Sequence, residues 1–108
     1  MCRNQLGELE QAYPEFRNRN AALLALSTDS TVDALNMMGV VGASYAILAD
    51  PDAQTARDYG VYDLLGDGVA APAVFILSSD GNIHWKYVGE DAGDRPSTDQ
   101  ILTELDKL

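Results

Sequence analysis

A hairpin signature in the second half of the chain restricts its fold most strongly. Two runs rich in β-branched and aromatic residues, 73–77 and 83–88, are separated by a short polar stretch that contains Asp80-Gly81. An Asp-Gly pair between two such runs is a strong turn signal, because glycine adopts a positive φ without steric cost. The pattern therefore predicts two antiparallel strands joined by a tight turn.

The segments around this hairpin alternate between helix and strand patterns. Residues 3–20 carry apolar side chains at helical spacing, and Pro14 within them should kink or split the helix. Residues 21–26 form a continuous apolar run, which predicts a strand buried on both faces. The other predicted elements are a helix capped by Ser30 that ends near Gly39, a strand over 45–49, a helix over 53–59 and a final helix capped by Ser97. This order predicts one α/β domain over 1–108, with a mixed sheet that ends in a hairpin and a helix.

Composition and charge exclude several classes of partner. The net charge is -10 and the chain contains seven Lys and Arg residues. A nucleic acid or an anionic membrane surface requires a basic face, so neither is expected as a partner. No apolar run approaches the roughly 20 residues of a membrane-spanning helix, and no basic-then-apolar leader opens the chain. These features predict a cytoplasmic protein, and nothing in the sequence predicts a metal or an organic cofactor.

A series of short motifs resembles one family in order and in approximate spacing. The segments that carry the resemblance are Cys2-Arg3-Asn4-Gln5-Leu6, 23–29, 48–52, 59–61, 71–77 and the tail from 88 to 97. Together they are similar to peroxiredoxin-like proteins of the alkyl hydroperoxide reductase and thiol-specific antioxidant (AhpC/TSA) family. The resemblance implies a thioredoxin-like fold with α, β and α layers. It also implies a thiol-dependent oxidoreductase that reduces peroxides or disulfides.

The start of the chain departs from the family pattern. In the family a buried strand comes directly before the active-site cysteines, whereas this chain starts at Met1. The resemblance therefore predicts a shortened fold without that strand and without the first cysteine. Strands 21–27 and 73–77 would then lose the strand between them. We expect either that the two strands close up or that two chains associate as a homodimer to cover the exposed edge.

The resemblance allows two assignments for Cys2. It matches the second, resolving cysteine of a C-P-x-C pair, and this assignment is preferred because Arg3 follows the cysteine and Pro72 precedes the late strand. It could instead match the peroxidatic cysteine, since Gln5 stands where those enzymes often carry Glu or Gln. Peroxiredoxins also carry an arginine near the start of the late strand, where this chain has Ala70 or Ala71. That difference weakens the peroxidase interpretation.

Cys2 is the only residue able to perform thiol chemistry. At the first turn of the predicted helix, the helix dipole and Arg3 would favour its thiolate, the nucleophilic form. The alternative is an exposed, frayed terminus with a thiol of ordinary acidity. A single cysteine cannot complete a dithiol cycle within one chain, so the expected partners are an outside thiol reductant and a peroxide or an oxidised protein.

Pro72 is the second candidate site residue. The resemblance implies that it is a cis-proline that faces the cysteine and aligns a substrate backbone, whereas the alternative is a proline that only starts a strand. His84 has no Cys, His or spaced carboxylate pair to form a metal site with, and is expected to be a half-exposed strand residue.

Two other functional hypotheses stay open: a non-catalytic thioredoxin-fold module for protein association, and a truncated gene product whose true start lies upstream.

Overall fold

Five helices and four strands follow one another in the part of the chain that the computed structural model describes, residues 3–28, 30–66, 68, 70–91 and 93–108. Their order is α1 (Arg3–Gln11), α2 (Tyr13–Asn18), β1 (Leu24–Ser27), α3 (Thr31–Val41), β2 (Ala46–Ala49), α4 (Gln54–Asp58), β3 (Ala73–Leu77), β4 (Ile83–Val88) and α5 (Thr98–Asp106). The backbone divides into two compact units, Met1–Gln54 and Thr55–Leu108.

The first unit opens with two short helices. The predicted split occurs, since α1 ends at Gln11 and α2 begins at Tyr13. Pro14 lies in the first turn of α2, where its missing N–H removes no helical hydrogen bond. The side chains that these helices bury are Leu6, Leu9 and Phe16.

Strands β1 and β2 form a parallel pair in the first unit. Leu26 pairs with Leu48, and Ser27 pairs with Ala49. The prediction that the first strand is buried on both faces is wrong, because Leu24 is 60% exposed and Leu26 is 45% exposed, whereas Ser27 is buried. Side chains alternate between the two faces of a strand. One face of this pair is therefore covered, and the other presents leucines.

Helix α3 starts where the sequence predicts and ends later. The Ser30 hydroxyl accepts a hydrogen bond from the Asp33 backbone N–H at 3.2 Å, which confirms the predicted cap. The helix continues to Val41 instead of ending near Gly39, and Gly42 closes it with a φ of 70°. A glycine inside a helix costs only about 1 kcal/mol relative to alanine, so Gly39 does not stop the helix.

The second unit contains the predicted hairpin. Strands β3 and β4 are antiparallel, with Ile76 opposite Trp85. Gly81 adopts a φ of 89°, and its N–H donates to the Ser78 carbonyl at 2.9 Å. The Asp80 carboxylate accepts hydrogen bonds from the Ser78 hydroxyl and from the Asn82 backbone N–H. These bonds, that from Ser78 first, hold the pKa of Asp80 below its usual value.

The last helix is capped as predicted. The Ser97 hydroxyl accepts a hydrogen bond from the Gln100 backbone N–H at 3.1 Å. This bond satisfies one of the N–H groups that the first turn of a helix leaves without a partner. Ile101, one residue further on, is the side chain that α5 buries most completely. The cap and the buried face therefore lie in the same turn.

The strand ladders join only neighbours in the chain order. In the described residues, β1 pairs with β2 and β3 pairs with β4, as two separate two-stranded sheets. The expectation that strands 21–27 and 73–77 close up stays a prediction, because β1 and β3 belong to different compact units. None of the helices in the described residues has the length and the apolar character that crossing a membrane requires.

Candidate functional site

Cys2, the candidate thiol, lies outside the described residues. Its nearest described neighbour in the sequence is Arg3, where α1 begins. The helix predicted to follow the cysteine is therefore present. The first turn of α1 is the part of the described fold that is closest to Cys2 along the chain.

Tyr45, the residue just before β2, is bonded to the first turn of α1. Its hydroxyl donates a hydrogen bond to the Leu6 carbonyl oxygen at 2.7 Å. Tyr45 is only 2% exposed, and its ring meets the Tyr13 ring edge-on with the centroids 5.9 Å apart. A buried hydroxyl without an acceptor would lose its bonds to water without compensation, so this bond is costly to break. It ties α1 to the segment that leads into β2.

A second contact lies one turn further along α1. The Glu10 carboxylate accepts hydrogen bonds from the backbone N–H and the hydroxyl of Ser44, the latter at 2.9 Å. Hydrogen bonds to an ionised acceptor are stronger than those between neutral groups. Since Ser44 directly precedes Tyr45, one short segment holds α1 at two points.

The acidity of Tyr45 follows from this setting. Burial first, and the nearby Glu10 carboxylate second, raise the pKa of Tyr45 to about 12. Both effects disfavour a negative phenolate. The hydroxyl therefore keeps its proton, and its ability to donate to Leu6, throughout the range in which a protein thiol titrates.

The pattern of residue types along the chain does not reveal the hydrogen bond between Tyr45 and Leu6. It places Tyr45 only in an apolar strand segment, although the hydroxyl bonds to a carbonyl 39 residues away. Patterns of local spacing detect contacts within a helical turn or a capping box, and this one lies far beyond them. A tyrosine in an apolar run does indicate that its hydroxyl needs a partner. It does not indicate which residue supplies that partner.

Pro72 lies directly before β3, and its peptide bond is trans. The cis bond implied by the family resemblance is wrong, because no peptide bond among the described residues is cis, that between Ala71 and Pro72 included. The trans form is the lower in energy by about 0.5–1 kcal/mol for a bond to proline. Two hydrogen bonds hold the backbone here: Ala71 N–H donates to the Val61 carbonyl at 2.9 Å, and Gly89 N–H donates to the Pro72 carbonyl at 2.7 Å.

These two bonds bear on the expected role of Pro72. A residue that aligns a substrate backbone needs backbone groups that are open to the substrate. The N–H of Ala71 and the carbonyl of Pro72 are already bonded within the chain. These bonds fit a proline at the start of a strand, and the role of Pro72 in aligning a substrate stays a prediction.

A carboxylate network fixes the loop that contacts Pro72. Asp94 accepts hydrogen bonds from the Tyr87 hydroxyl and, at 2.8 Å, from the Glu90 backbone N–H. These bonds, that from Tyr87 first, hold the pKa of Asp94 below its usual value, and the same Tyr87 bond raises the pKa of the tyrosine. A Cβ on Gly89 would meet the Asp94 carbonyl and lie 3.3 Å from the Cβ of Pro72. The loop thus closes over the start of β3 at a position with no room for a side chain.

The described residues contain no group of three or more His, Cys, Asp or Glu side chains placed to hold a metal ion. His84 is exposed on β4 instead of half-exposed as expected.

Comparison with known sequences gives two consistent results. The model of the AhpC/TSA family matches residues 1–86, a span that contains both Cys2 and Pro72. A 1-Cys peroxiredoxin of Onchocerca volvulus is 31% identical over 128 residues, covering 100% of this chain and 55% of that protein. A 1-Cys peroxiredoxin of Dictyostelium discoideum is 37% identical over 87 residues, covering 74% of this chain and 36% of that protein. The chain therefore spans about half or less of the length of these relatives.

Solved structures agree with the sequence comparison. The crystal structure of AhpC from Enterococcus faecalis superposes with a TM-score of 0.83 and 29% identity, over 98% of this chain and 65% of that one. The reduced 2-Cys peroxiredoxin of Plasmodium vivax gives 0.82 and 26%, over 97% of this chain and 56% of that one. These likenesses confirm the predicted thioredoxin-like α/β fold. Since the family model accounts for residues 1–86 and a relative above 30% identity aligns with the whole chain, the chain belongs to the AhpC/TSA family.

Proposed function

We propose that the chain reduces peroxides through the thiol of Cys2 and that an outside thiol regenerates it. The observation that carries the proposal is the position of Cys2, the chain's one cysteine, within the span that the family model matches. Relatives named 1-Cys peroxiredoxin, from two organisms, support the same activity. The chain spans only part of these proteins, so its activity, substrate and partners all belong to the proposal.

The proposal gives Cys2 the peroxidatic role in place of the resolving role that the sequence motif favours. A resolving cysteine acts on a sulfur that another cysteine has supplied, and this chain holds one cysteine. The relatives named 1-Cys peroxiredoxin support the same choice. Cys2 is therefore the residue that attacks the peroxide.

The reaction balances with a thiol as the co-substrate. The Cys2 thiolate attacks one oxygen of the peroxide, the S–O bond forms as the O–O bond breaks, and the leaving oxygen takes up a proton to give water or an alcohol. The sulfur becomes a sulfenic acid. A reductant thiol then forms a mixed disulfide and releases water. A second reductant thiol restores Cys2 and leaves the reductant oxidised as a disulfide.

The electrostatic support that we assign to the thiolate comes from the start of α1. Helix N-termini favour a nearby negative charge, and Arg3 follows the cysteine directly. Peroxiredoxins carry a peroxide-stabilising arginine near the start of the late strand, where this chain has Ala70 or Ala71. In the proposal, the electrostatic support from the start of α1 takes the place of that arginine. Pro72 receives a positioning role at the start of β3, not a substrate contact. The cytoplasm is the compartment that the proposal implies, because thiol reductants are maintained there.

The test compares the wild-type chain with Cys2→Ser. We expect the wild type to consume hydrogen peroxide in the presence of dithiothreitol and Cys2→Ser to fall to the buffer background. A dimedone adduct on Cys2, detected by mass spectrometry, should identify the sulfenic acid. The same pair of proteins assayed with a disulfide substrate measures thiol–disulfide exchange, the other activity expected from the resemblance. A wild-type chain that is inactive in both assays would support the non-catalytic association module instead.

We also propose that two copies of the chain associate through the leucine face of the first unit, which consists of Leu24, Leu26 and Leu48. These side chains are 60%, 45% and 45% exposed. Parallel strand pairs are normally covered on both faces, and a second copy would cover this one. Together with the prediction of one domain over 1–108, the proposal describes a dimer of single-domain chains.

A further inference from the structure

Tyr45 connects the helix that follows Cys2 to β2. We propose that Tyr45 is a positioning residue for Cys2: its hydroxyl, bonded to the Leu6 carbonyl, fixes the first turn of α1 and with it the backbone that leads to the thiol. The inference rests on the proposed role of Cys2. It adds a residue whose contribution passes through the helix, without contact with the peroxide.

Helix α1 needs such support because it is weak by itself. It has nine residues, and isolated helices shorter than about 12–15 residues are marginal in water. Gly7 lies inside it and lowers its helix propensity further. Favourable interaction with a negative charge is confined to the first turn of a helix. In the proposal, the thiolate of the residue before α1 therefore depends on that turn staying formed.

The two contacts on α1 differ in position and in burial. Tyr45 binds Leu6, near the beginning of the helix, and is buried. Ser44 binds Glu10, at the other end of the helix and in an exposed setting. The Glu10 carboxylate is the charged group that acts on Tyr45, and the Arg17 guanidinium lies 5.9 Å from the centre of the neighbouring Tyr13 ring. Tyr45 is thus the contact that holds the end of α1 nearest to Cys2.

The decisive variant is Tyr45→Phe, which keeps the ring and removes the hydrogen bond. The pH dependence of Cys2 alkylation reports the acidity of the thiol independently of peroxide turnover. We expect the thiol pKa to rise by about half a unit, the size of a typical helix-terminus effect. The peroxide rate constant at neutral pH should fall by up to about threefold, the largest loss of thiolate that half a pKa unit can cause, with an unchanged circular dichroism spectrum.

Two further variants make the test specific. Tyr13→Phe removes a hydroxyl from the ring that packs against Tyr45, and should leave the alkylation pKa unchanged. Gly7→Ala has room for its new methyl group and strengthens α1. In the Tyr45→Phe background it should recover part of the lost acidity, whether or not the single variant is well folded.

The outcomes separate this inference from the proposed function. If Tyr45→Phe and the wild type have the same alkylation pKa, the positioning role of Tyr45 is wrong. An equal shift in Tyr13→Phe would also overturn it. If the pKa shifts as expected but the wild type consumes no peroxide, the proposed function fails and the positioning role stands.

Discussion

Gly89 shows how closely the loop after β4 approaches the start of β3. A Cβ at this position would meet the Asp94 carbonyl and lie 3.2 Å from the Asp91 carbonyl. Both neighbours are backbone atoms, which cannot move aside as a flexible side chain does. The Gly89 N–H also bonds to the Pro72 carbonyl, so a shift of this residue disturbs the entry to β3.

We expect Gly89→Ala to lower the free energy of unfolding by about 1–3 kcal/mol, the usual cost of overpacking. Gly7→Ala is the matched control, because its Cβ would meet nothing within 4 Å. Removing a glycine from a helix should stabilise the chain by about 0.5–1 kcal/mol. Urea unfolding of the two variants and the wild type measures both effects. Equal stability of Gly89→Ala and the wild type would contradict the close approach of the Asp94 and Asp91 carbonyls to Gly89.

The lowered pKa of Asp94 predicts that the stability of the folded chain depends on pH. Its pKa is lower in the folded state than the usual 3.8, mainly because of the Tyr87 hydrogen bond. The unfolded chain then binds a proton more readily than the folded chain. The stabilisation from Asp94 is therefore fully present above pH 4 and is lost as the pH falls below it. In Asp94→Asn the acid-side loss of stability should be shallower than in the wild type, as measured by urea unfolding between pH 2 and 6, in about half-unit steps. Identical slopes would contradict the assignment.

At the scale of elements, serine caps set where α3 and α5 begin. The Ser97 hydroxyl accepts the Gln100 N–H at 3.1 Å. We expect Ser97→Ala to cost about 1 kcal/mol, because an N–H at the helix start loses its acceptor. Ser97→Asp should retain most of the stability, since a carboxylate serves the same role. Ser79→Ala, at an exposed serine in the hairpin turn, is the control and should change the free energy of unfolding by less than about 0.5 kcal/mol. A loss in Ser79→Ala as large as that in Ser97→Ala would contradict the cap interpretation.

At the scale of the whole molecule, the proposed dimer depends on the leucine face. We expect sedimentation velocity to show a concentration-dependent dimer. Leu26→Lys should raise the dissociation constant at least about tenfold, because a charge without a partner would be buried in the contact. Leu64→Lys is the control, since Leu64 is 54% exposed in a loop of the second unit and lies outside the leucine face. A wild-type chain that stays monomeric at every concentration would rule out the dimer.

The elements that sequence analysis predicted best are those defined by local interactions. The hairpin strands have the predicted bounds, Ala73–Leu77 and Ile83–Val88, and Ser30 and Ser97 cap their helices as expected. Strand β1, by contrast, covers Leu24–Ser27 instead of 21–26. A run of small apolar residues without alternation carries little information about where a strand begins. Its length therefore depended on the pairing with β2.

The amino-acid sequence by itself determined the turn at Gly81, the two serine caps, the split at Pro14 and the family, because each depends on residue types within a few positions or on motif order. Tertiary structure alone decided which faces of β1 are covered, that the Pro72 bond is trans and that Tyr45 bonds to Leu6. These features depend on which distant segments meet. Burial and long-range hydrogen bonds are properties of neighbours in space, and no spacing along the chain encodes them.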